Sequence, residues 1–460
     1  MQHSSAKGLD HPVGGQWGRH AADSHAIPSI PHVDGCVSVA GWLRRSSTGR
    51  MGVKPVGMRA DACAQAIRRF TRMDSFMAAS SSPSYRSTQA LIVGGGIHGC
   101  SLALNLALRG VECVVIEKDY VARHASGVNG GGVRTLGRHL AEITLALKSA
   151  ALWRDMDSLL DQPCGLRVSG NIRLAENEQD LEKLSRRVRE LQSLGFWHER
   201  MVDPSELRSI APAVSRHCLG GLYVAEDGFA NPFTVTSAFR ARAAAKGATF
   251  VEGTRVTGVD VQAGGWAVQT DTGAWRSRWL FNCAGGWSQQ LAQRMGDPLP
   301  IRADGSMQIV TARMPAFLQP VVGSASRSVS IKQWPNGTVT IGGGHRAAVN
   351  LATGQSSIRP EKLSLAAASA AALFPCLRQA QAVRFWSGIE AFTPDGLPII
   401  DRGSQEGAFH VTGFSAHGFQ LAPIVGQLVA RWAVEGTMPA LLAPFSRTRF
   451  SRSSPATSSH

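Results

Sequence analysis

The stretch "LIVGGGIHG" (91–99) limits what this chain can fold into more than any other feature. It sets Gly94, Gly96 and Gly99 in the spacing G-x-G-x-x-G, after the strand pattern "ALIV" and at the opening of a helical pattern over 97–109. A second strand, "ECVVIEKD", follows and carries Glu117 near its end, 18 residues past Gly99. Strand, glycine turn, helix, strand and acidic residue in that order make a dinucleotide-binding fingerprint. Gly94 permits the tight turn, Gly96 lets a pyrophosphate approach the backbone, and Gly99 lets the helix pack closely on the strand. The helix N-terminus offers free N–H groups and the positive end of its dipole, and Glu117 can accept from ribose hydroxyls. The bland alternative is a glycine-rich βα turn with no ligand, and the acidic residue weighs against it. FAD and NAD both use this fingerprint, so these residues alone leave the choice open.

The β-α-β order predicts an α/β fold on a parallel sheet. Further along, 139–160 reads as a helix, 166–174 as a strand and 177–194 as a charged amphipathic helix. From 249 to 283 short strands with glycine turns read as an antiparallel hairpin set returning to the main sheet. Strands are predicted at 307–312, 328–333 and 337–342, with "PNG" as a hairpin signal. The stretch 383–432 reads as strand, turn, strand and helix.

A net charge of +15 raises the question of nucleic acid, and its location answers it. Residues 1–86 carry +6 and the tail 446–460 carries +3, and both segments are polar, aperiodic and read as disordered. The rest is spread without blocks, so no duplex-binding footprint is expected. The first 86 residues read as an extension or an over-long start, with Met73 or Met77 as initiator. No apolar h-region follows Arg44 and Arg45, against a twin-arginine signal. Eight scattered cysteines without a C-x-x-C pair read as reduced thiols of a cytoplasmic protein, not as a disulfide scaffold or zinc site. The uncharged run 89–108 is interrupted by three glycines and His98, against a membrane span. No metal site is expected.

The stretch "ASGVNGGGVRTLGRH" (125–139) places three consecutive glycines before Arg134 and Arg138. Glycine runs cost backbone entropy on folding, so this one is either a linker or a backbone opened for a large anionic ligand. A flavin is held along its length by segments far apart in sequence. Besides the opening stretch, this chain offers "FNCAGGWS" (281–288) and "VTGFSAHGFQLAPIVGQLVA" (411–430), where a strand breaks at Gly413 and a helix restarts near Gly418.

"VGGGIHG", "DGFANP" (227–232), "FNCAGGWS", "WSGIEAFTPDGLPIID" (386–401) and "GFSAHGFQLAP" (413–423) occur in that order. Over roughly 88–435 the chain thereby resembles the D-amino-acid oxidase-like flavoproteins, and among them the β subunits of heteromeric sarcosine oxidase, opine oxidase and hydroxyproline dehydrogenase. The resemblance implies a Rossmann-like FAD-binding domain (87–164, 226–300 and 383–435) interleaved with an antiparallel-sheet substrate domain (165–225 and 301–382). It places Gly94, Gly96, Gly99 and Glu117 on the ADP half of FAD. Ser126, Gly127, Asn129, Gly130 and Gly131 fall along the pyrophosphate and ribityl chain. Val256 falls by the adenosine, Ala284 and Gly285 by the pyrophosphate, and Gly413, His417, Gly418 and Gln420 at the pyrimidine end of the flavin. A helix N-terminus aimed there would stabilise negative charge developing at N1 and O2. Ala391 and Phe392 stand where some members carry the cysteine that anchors flavin, so FAD is expected to be non-covalent.

The implied reaction is hydride transfer from the carbon next to nitrogen to flavin N5, giving an imine that water hydrolyses. Such a substrate needs a carboxylate anchor, and the planar fork of arginine suits it. The resemblance assigns this to Arg134 and Arg138, with Arg138 slightly favoured. His417 either polarises the substrate or contacts the flavin, with a helix-capping histidine the equal alternative. Some members have a carboxylate-binding lysine where Gln420 stands. His345 and Arg346 are a candidate second polar pair, with solvated loop residues the commoner reading. Monomeric sarcosine oxidases also carry an oxygen-activating lysine on the strand matching 337–342, and "TVTIGG" has none. This favours a dehydrogenase that passes electrons to partner subunits. The expected substrate is sarcosine, an imino acid or an opine. The alternatives are primary D-amino acids, or the FAD domain of a tRNA-modifying enzyme.

Overall fold

The computed structural model describes residues 84–451, and expectations placed on 1–83 and 452–460 lie outside the described residues. The strand Tyr85–Val93 is the axis of the first sheet. Ala90, Leu91 and Ile92 are wholly buried, as an unbroken apolar run requires when both faces of a parallel strand are covered. Cys113–Ile116 pairs parallel on one side, followed by Thr249–Val251, and Gly273–Asn282 pairs parallel on the other. The far edge of Gly273–Asn282 is shared. Its first half pairs antiparallel with Gly265–Thr270, which carries Val256–Gln262, and its last three residues pair parallel with Ala408–Thr412. The expected hairpin set therefore does return to the main sheet.

Helices Ile97–Ala107, Leu140–Arg154, Pro232–Ala245 and Gly418–Glu435 share one apolar core with this sheet. The first and last of them touch closely. Ser101 Oγ donates to the Ala422 carbonyl at 2.8 Å, and a Cβ on Gly426 would come within 2.2 Å of Ser101 Oγ.

The second sheet has ten strands and is antiparallel except where Val321–Ser324 meets Asn171–Ala175. Its central strand, Arg302–Thr311, alternates. Met307, Ile309 and Thr311 are buried; Met307 and Ile309 join the apolar core shared with the helix Pro360–Leu373, and Ser306, Gln308 and Val310 point to the other face. Ala382–Phe392 pairs along the length of that strand, so the segment 383–435 contributes to both sheets. Ser330–Gln333 and Val339–Gly342 form the hairpin expected at "PNG", with Gly337 at φ +87°. A third, three-stranded sheet ties Gly132–Val133 and Arg167–Val168 to Gly228–Phe229.

Several boundaries differ from expectation. The strand over 166–174 breaks at Gly170, whose φ of +82° turns the chain from the three-stranded sheet into the ten-stranded one. The helix over 139–160 is interrupted at Asp155. The first strand starts at Tyr85, inside the expected extension. Residues 446–451 are folded, not a loose tail: Ser446 Oγ donates to Asp401 Oδ2 at 2.6 Å, Arg447 pairs with Asp297 at 3.2 Å and Arg449 with Asp395 at 2.7 Å. Their polar composition concealed carboxylate partners far away in sequence. Among the described residues, no helix is long and apolar enough to cross a membrane, and the six cysteines there are free.

Candidate active site

A cavity of about 540 Å³ is lined by residues of both large sheets and by every segment singled out above except "DGFANP". At one end the glycine turn has no room for side chains. Gly94 sits at φ +115°, where a Cβ would lie 2.3 Å from the Cys283 carbonyl oxygen. A Cβ on Gly99 would lie 2.0 Å from the Gly94 carbonyl oxygen, so the helix could not rest on the strand. Glu117 is half-buried among backbone donors: Oε2 accepts from the Gly95 amide at 2.7 Å and Oε1 from the Asp119 amide at 2.9 Å. Burial raises its carboxyl above the usual range. Val256, Ala284 and Gly285 line the same end, and a Cβ on Gly285 would meet open space.

The glycine-rich loop crosses the middle of the cavity. Ser126 Oγ accepts from the Ile97 amide at 2.9 Å, which fixes the loop against the helix N-terminus. Asn129 spends its side chain on the loop itself, donating to the Ala125 carbonyl at 2.9 Å and accepting from the Gly131 amide at 2.6 Å. Gly127 and Gly131 are close-packed positions, where a Cβ would come within 2.0 Å of the Ala122 and 2.1 Å of the Ala230 carbonyl oxygen. Ser126, Asn129, Gly130 and Gly131 face the cavity, whereas Gly127 packs behind it. Asp227 of "DGFANP" holds the far end of the loop, accepting from the Thr135 and Leu136 amides at 2.7 and 2.9 Å. The run is thus a fastened cradle, not a linker.

Two helix N-termini converge on this cradle, at Ile97 and Gly418. His98 stacks flat on Phe414, ring centroids 3.6 Å apart, and burial pushes its imidazole down to about 3. Between Gly413 (φ +71°) and Gly418, Ser415 and Ala416 both adopt positive φ, at +50° and +69°. Such strain in non-glycine residues persists only where surrounding contacts over-determine it, and it clusters at ligand sites.

At the opposite end lie the arginines. Arg138 is 1% exposed, and its guanidinium is fully engaged. It donates to Gln420 Oε1 at 3.1 Å, to the Arg134 carbonyl at 3.1 Å and towards the His417 carbonyl, with Glu142 at 3.9 Å. Arg134 donates to the Leu136 carbonyl at 2.7 Å and is otherwise open to the cavity; burial pushes its guanidinium down to about 10. His417 Nδ1 lies 3.4 Å from Glu142 Oε2, and burial holds its imidazole down at about 4. Burial would raise the Glu142 carboxyl, but His417 and Arg138 keep it below the usual range. Gln420 does not line the cavity. It is fully buried behind Arg138, donating to the Ala146 carbonyl at 2.7 Å.

The polar face of the ten-stranded sheet closes this end with Ser306, Gln308, Lys332, Arg346 and Glu390. Arg346 Nη1 donates to Ser306 Oγ at 2.6 Å, which donates to Glu390 Oε2 at 3.1 Å, and burial raises the Glu390 carboxyl. His345 turns away to the Ser328 carbonyl at 3.1 Å. Lys332 and Glu142 are missing from the sequence reading, although both left a trace. One is a lone charge in the short strand "SIKQ", and the other stands four residues after Arg138 in a new helix.

These features suit an extended dinucleotide cofactor held between a nucleotide pocket and a cationic chamber. Residues 89–432 match the family model described as FAD dependent oxidoreductase, and the chain belongs to that family. It is 27% identical to an opine oxidase subunit of Rhizobium meliloti, over 78% of this chain and 96% of that one. It is 26% identical to hydrogen cyanide synthase subunit HcnC of Pseudomonas aeruginosa, over 79% and 97%. Among solved structures, L-proline dehydrogenase from P. horikoshii superposes with a TM-score of 0.75 at 25% identity, covering 80% of this chain and 99% of that one. Glycine oxidase from Geobacillus kaustophilus superposes at 0.71 with 26% identity, covering 79% and 99%. The chain is therefore an FAD-dependent oxidoreductase.

Proposed function

We propose that this chain oxidises a carboxylate-bearing amine of the sarcosine, imino-acid or opine type. The observation that carries this reading is the cationic chamber at the end of the FAD groove, where Arg134 has no ion-pair partner among the described residues. When bound, FAD supplies the two-electron acceptor for the carbon next to nitrogen. The chain's own residues do the rest. The Gly96 amide, at the N-terminus of the Ile97 helix, and the Ser126 loop would hold the pyrophosphate, and Glu117 would take the ribose. The Gly418 helix N-terminus stabilises negative charge at the pyrimidine end. Arg134 anchors the substrate carboxylate, while Arg138, fixed by Gln420 and Glu142, supports the wall from behind. His417, held neutral by burial, leaves no added positive charge to oppose an incoming amine.

FAD is taken to be non-covalent, and acid precipitation that left flavin on the protein would overturn this. Lys332 reaches the chamber from the strand beside 337–342, so the lack of lysine on that strand no longer separates a dehydrogenase from an oxidase. The preference for a dehydrogenase has L-proline dehydrogenase among the similar structures as its support, and relatives named as subunits agree with a partner chain. Anaerobic bleaching of the flavin by D-, L- and N-substituted amino acids tests the substrate class. Re-oxidation by air against an artificial acceptor tests the electron route. A flavin that no amino acid bleaches would sink the reading.

A further inference from the structure

The cations around the chamber differ in whether they have a partner. Arg138 has Glu142 at 3.9 Å, and Arg346 reaches Glu390 through Ser306. Arg134 and Lys332 have none: neither is in an ion pair among the described residues. Lys332 is 2% exposed and makes no hydrogen bond there; its neighbours are the Phe229 and Trp334 rings, 5.4 and 5.8 Å from Nζ. The sheet register directs it inward. Lys332 pairs with Thr340, which pairs with Val310, placing it on the same face as Gln308 and Ser306. Its Nζ lies 3.5 Å from where a Cβ on Gly130 would stand, so it looks across the chamber at the flavin cradle.

Burying an ammonium without a counter-ion costs several kcal/mol, and the group lowers that cost by losing its proton or by receiving an anion. Burial alone brings the Lys332 amine down to about 7. Arg134 comes from the glycine loop and Lys332 from the sheet, so the two cations present themselves from different walls.

We propose that Lys332 forms a second carboxylate subsite, separate from that of Arg134, and that the preferred substrate is a secondary amine bearing two carboxylates. This rests on the amine-oxidoreductase reading above. The two carboxylates offset the two unpaired cations, while the nitrogen and its neighbouring carbon lie between them, over the cradle. Other charged groups around the chamber are Arg138, Arg346 and Glu390, and the rest of the cavity is lined by Glu117, Lys118, Arg123, Arg255 and Arg294.

The test uses the flavin-loaded protein and the variants Lys332→Met and Lys332→Gln, each checked for flavin content. Steady-state KM is compared for iminodiacetate and N-methylglycine. Binding of malonate and acetate is followed by perturbation of the flavin spectrum. In the wild type, iminodiacetate and malonate are expected to be favoured by at least about tenfold, and both variants are expected to lose that advantage. A wild type without the advantage, or variants that keep it, would overturn the proposal. So would variants that change only the rate of flavin re-oxidation. If no amine bleaches the flavin yet malonate keeps a Lys332-dependent advantage over acetate, the amine reading fails and the anionic subsite stands.

Discussion

Arg138 Nη2 donates to Gln420 Oε1 at 3.1 Å, and both side chains are sealed from solvent. Gln420 also donates to the Ala146 carbonyl. Its carbonyl accepts from Ser149 at 2.5 Å and Trp153 at 2.8 Å, so one glutamine joins the closing helix to Leu140–Arg154. Gln420→Leu is expected to lose about 1–3 kcal/mol, because a buried guanidinium and a buried carbonyl each lose a partner. Gln420→Lys should lose more, since it sets an ammonium beside Arg138. Thermal unfolding of the flavin-loaded proteins measures both, and a Gln420→Lys variant as stable as wild type would refute this role.

The two arginines should separate by readout. Arg134→Ala removes an unpaired cation and is expected to raise KM for carboxylate substrates at least about tenfold, with the fold intact. Arg138→Ala takes the cation from fully buried Glu142 and should destabilise by about 3–5 kcal/mol. KM and the unfolding midpoint, measured on both variants, would show the pattern reversed if Arg138 were the anchor.

Gly94→Ala must place its methyl against the Cys283 carbonyl at a φ that L-residues avoid. Purified protein should carry little flavin and unfold early. Gly110 has a comparable φ of +73° with nothing within 4 Å of a Cβ, so Gly110→Ala should cost only about 1–2 kcal/mol and keep its flavin. Equal flavin-to-protein ratios in the two variants would contradict the close-packing account.

Asp297 is held at about 2, because His410 at 3.1 Å and the Ser404 amide at 2.9 Å outweigh its burial. Its folded value lies below the unfolded one, so its contribution is fully present above about pH 4 and disappears as pH falls through about 2. Asp297→Asn is expected to cost about 2 kcal/mol at neutral pH. Denaturant titrations should show the gap to wild type closing across that acid window. A constant gap would assign the loss to packing.

Much of the candidate site's cavity was legible because its residues sit on short local patterns. The turn at Gly94, the packing at Gly99 and the strand ending near Glu117 each follow from neighbours within about 25 residues. Arg134 and His417 needed the family resemblance to acquire a role. Lys332 was not legible, since its direction depends on pairings with Thr340 and, through it, Val310, which no local period reports. Gln420 was misplaced for a related reason: its position at a helix N-terminus suggested the flavin, but its side chain turns to Ala146. Residues 446–451 show the same limit, as a polar stretch reads as loose until Asp297, Asp395 and Asp401 are brought to it.

The bond from Ser101 to Ala422 joins residues 321 apart in sequence. The helix beginning at Gly418 leaves the ribosome 321 residues after the one beginning at Ile97. Until then the cavity lacks its wall at Gly413–Gly418, and the early helix packs on its sheet and on Pro232–Ala245 without the later helix. A nascent chain stalled before 418 would thus expose the glycine-rich loop before the helix that closes its cavity has been made.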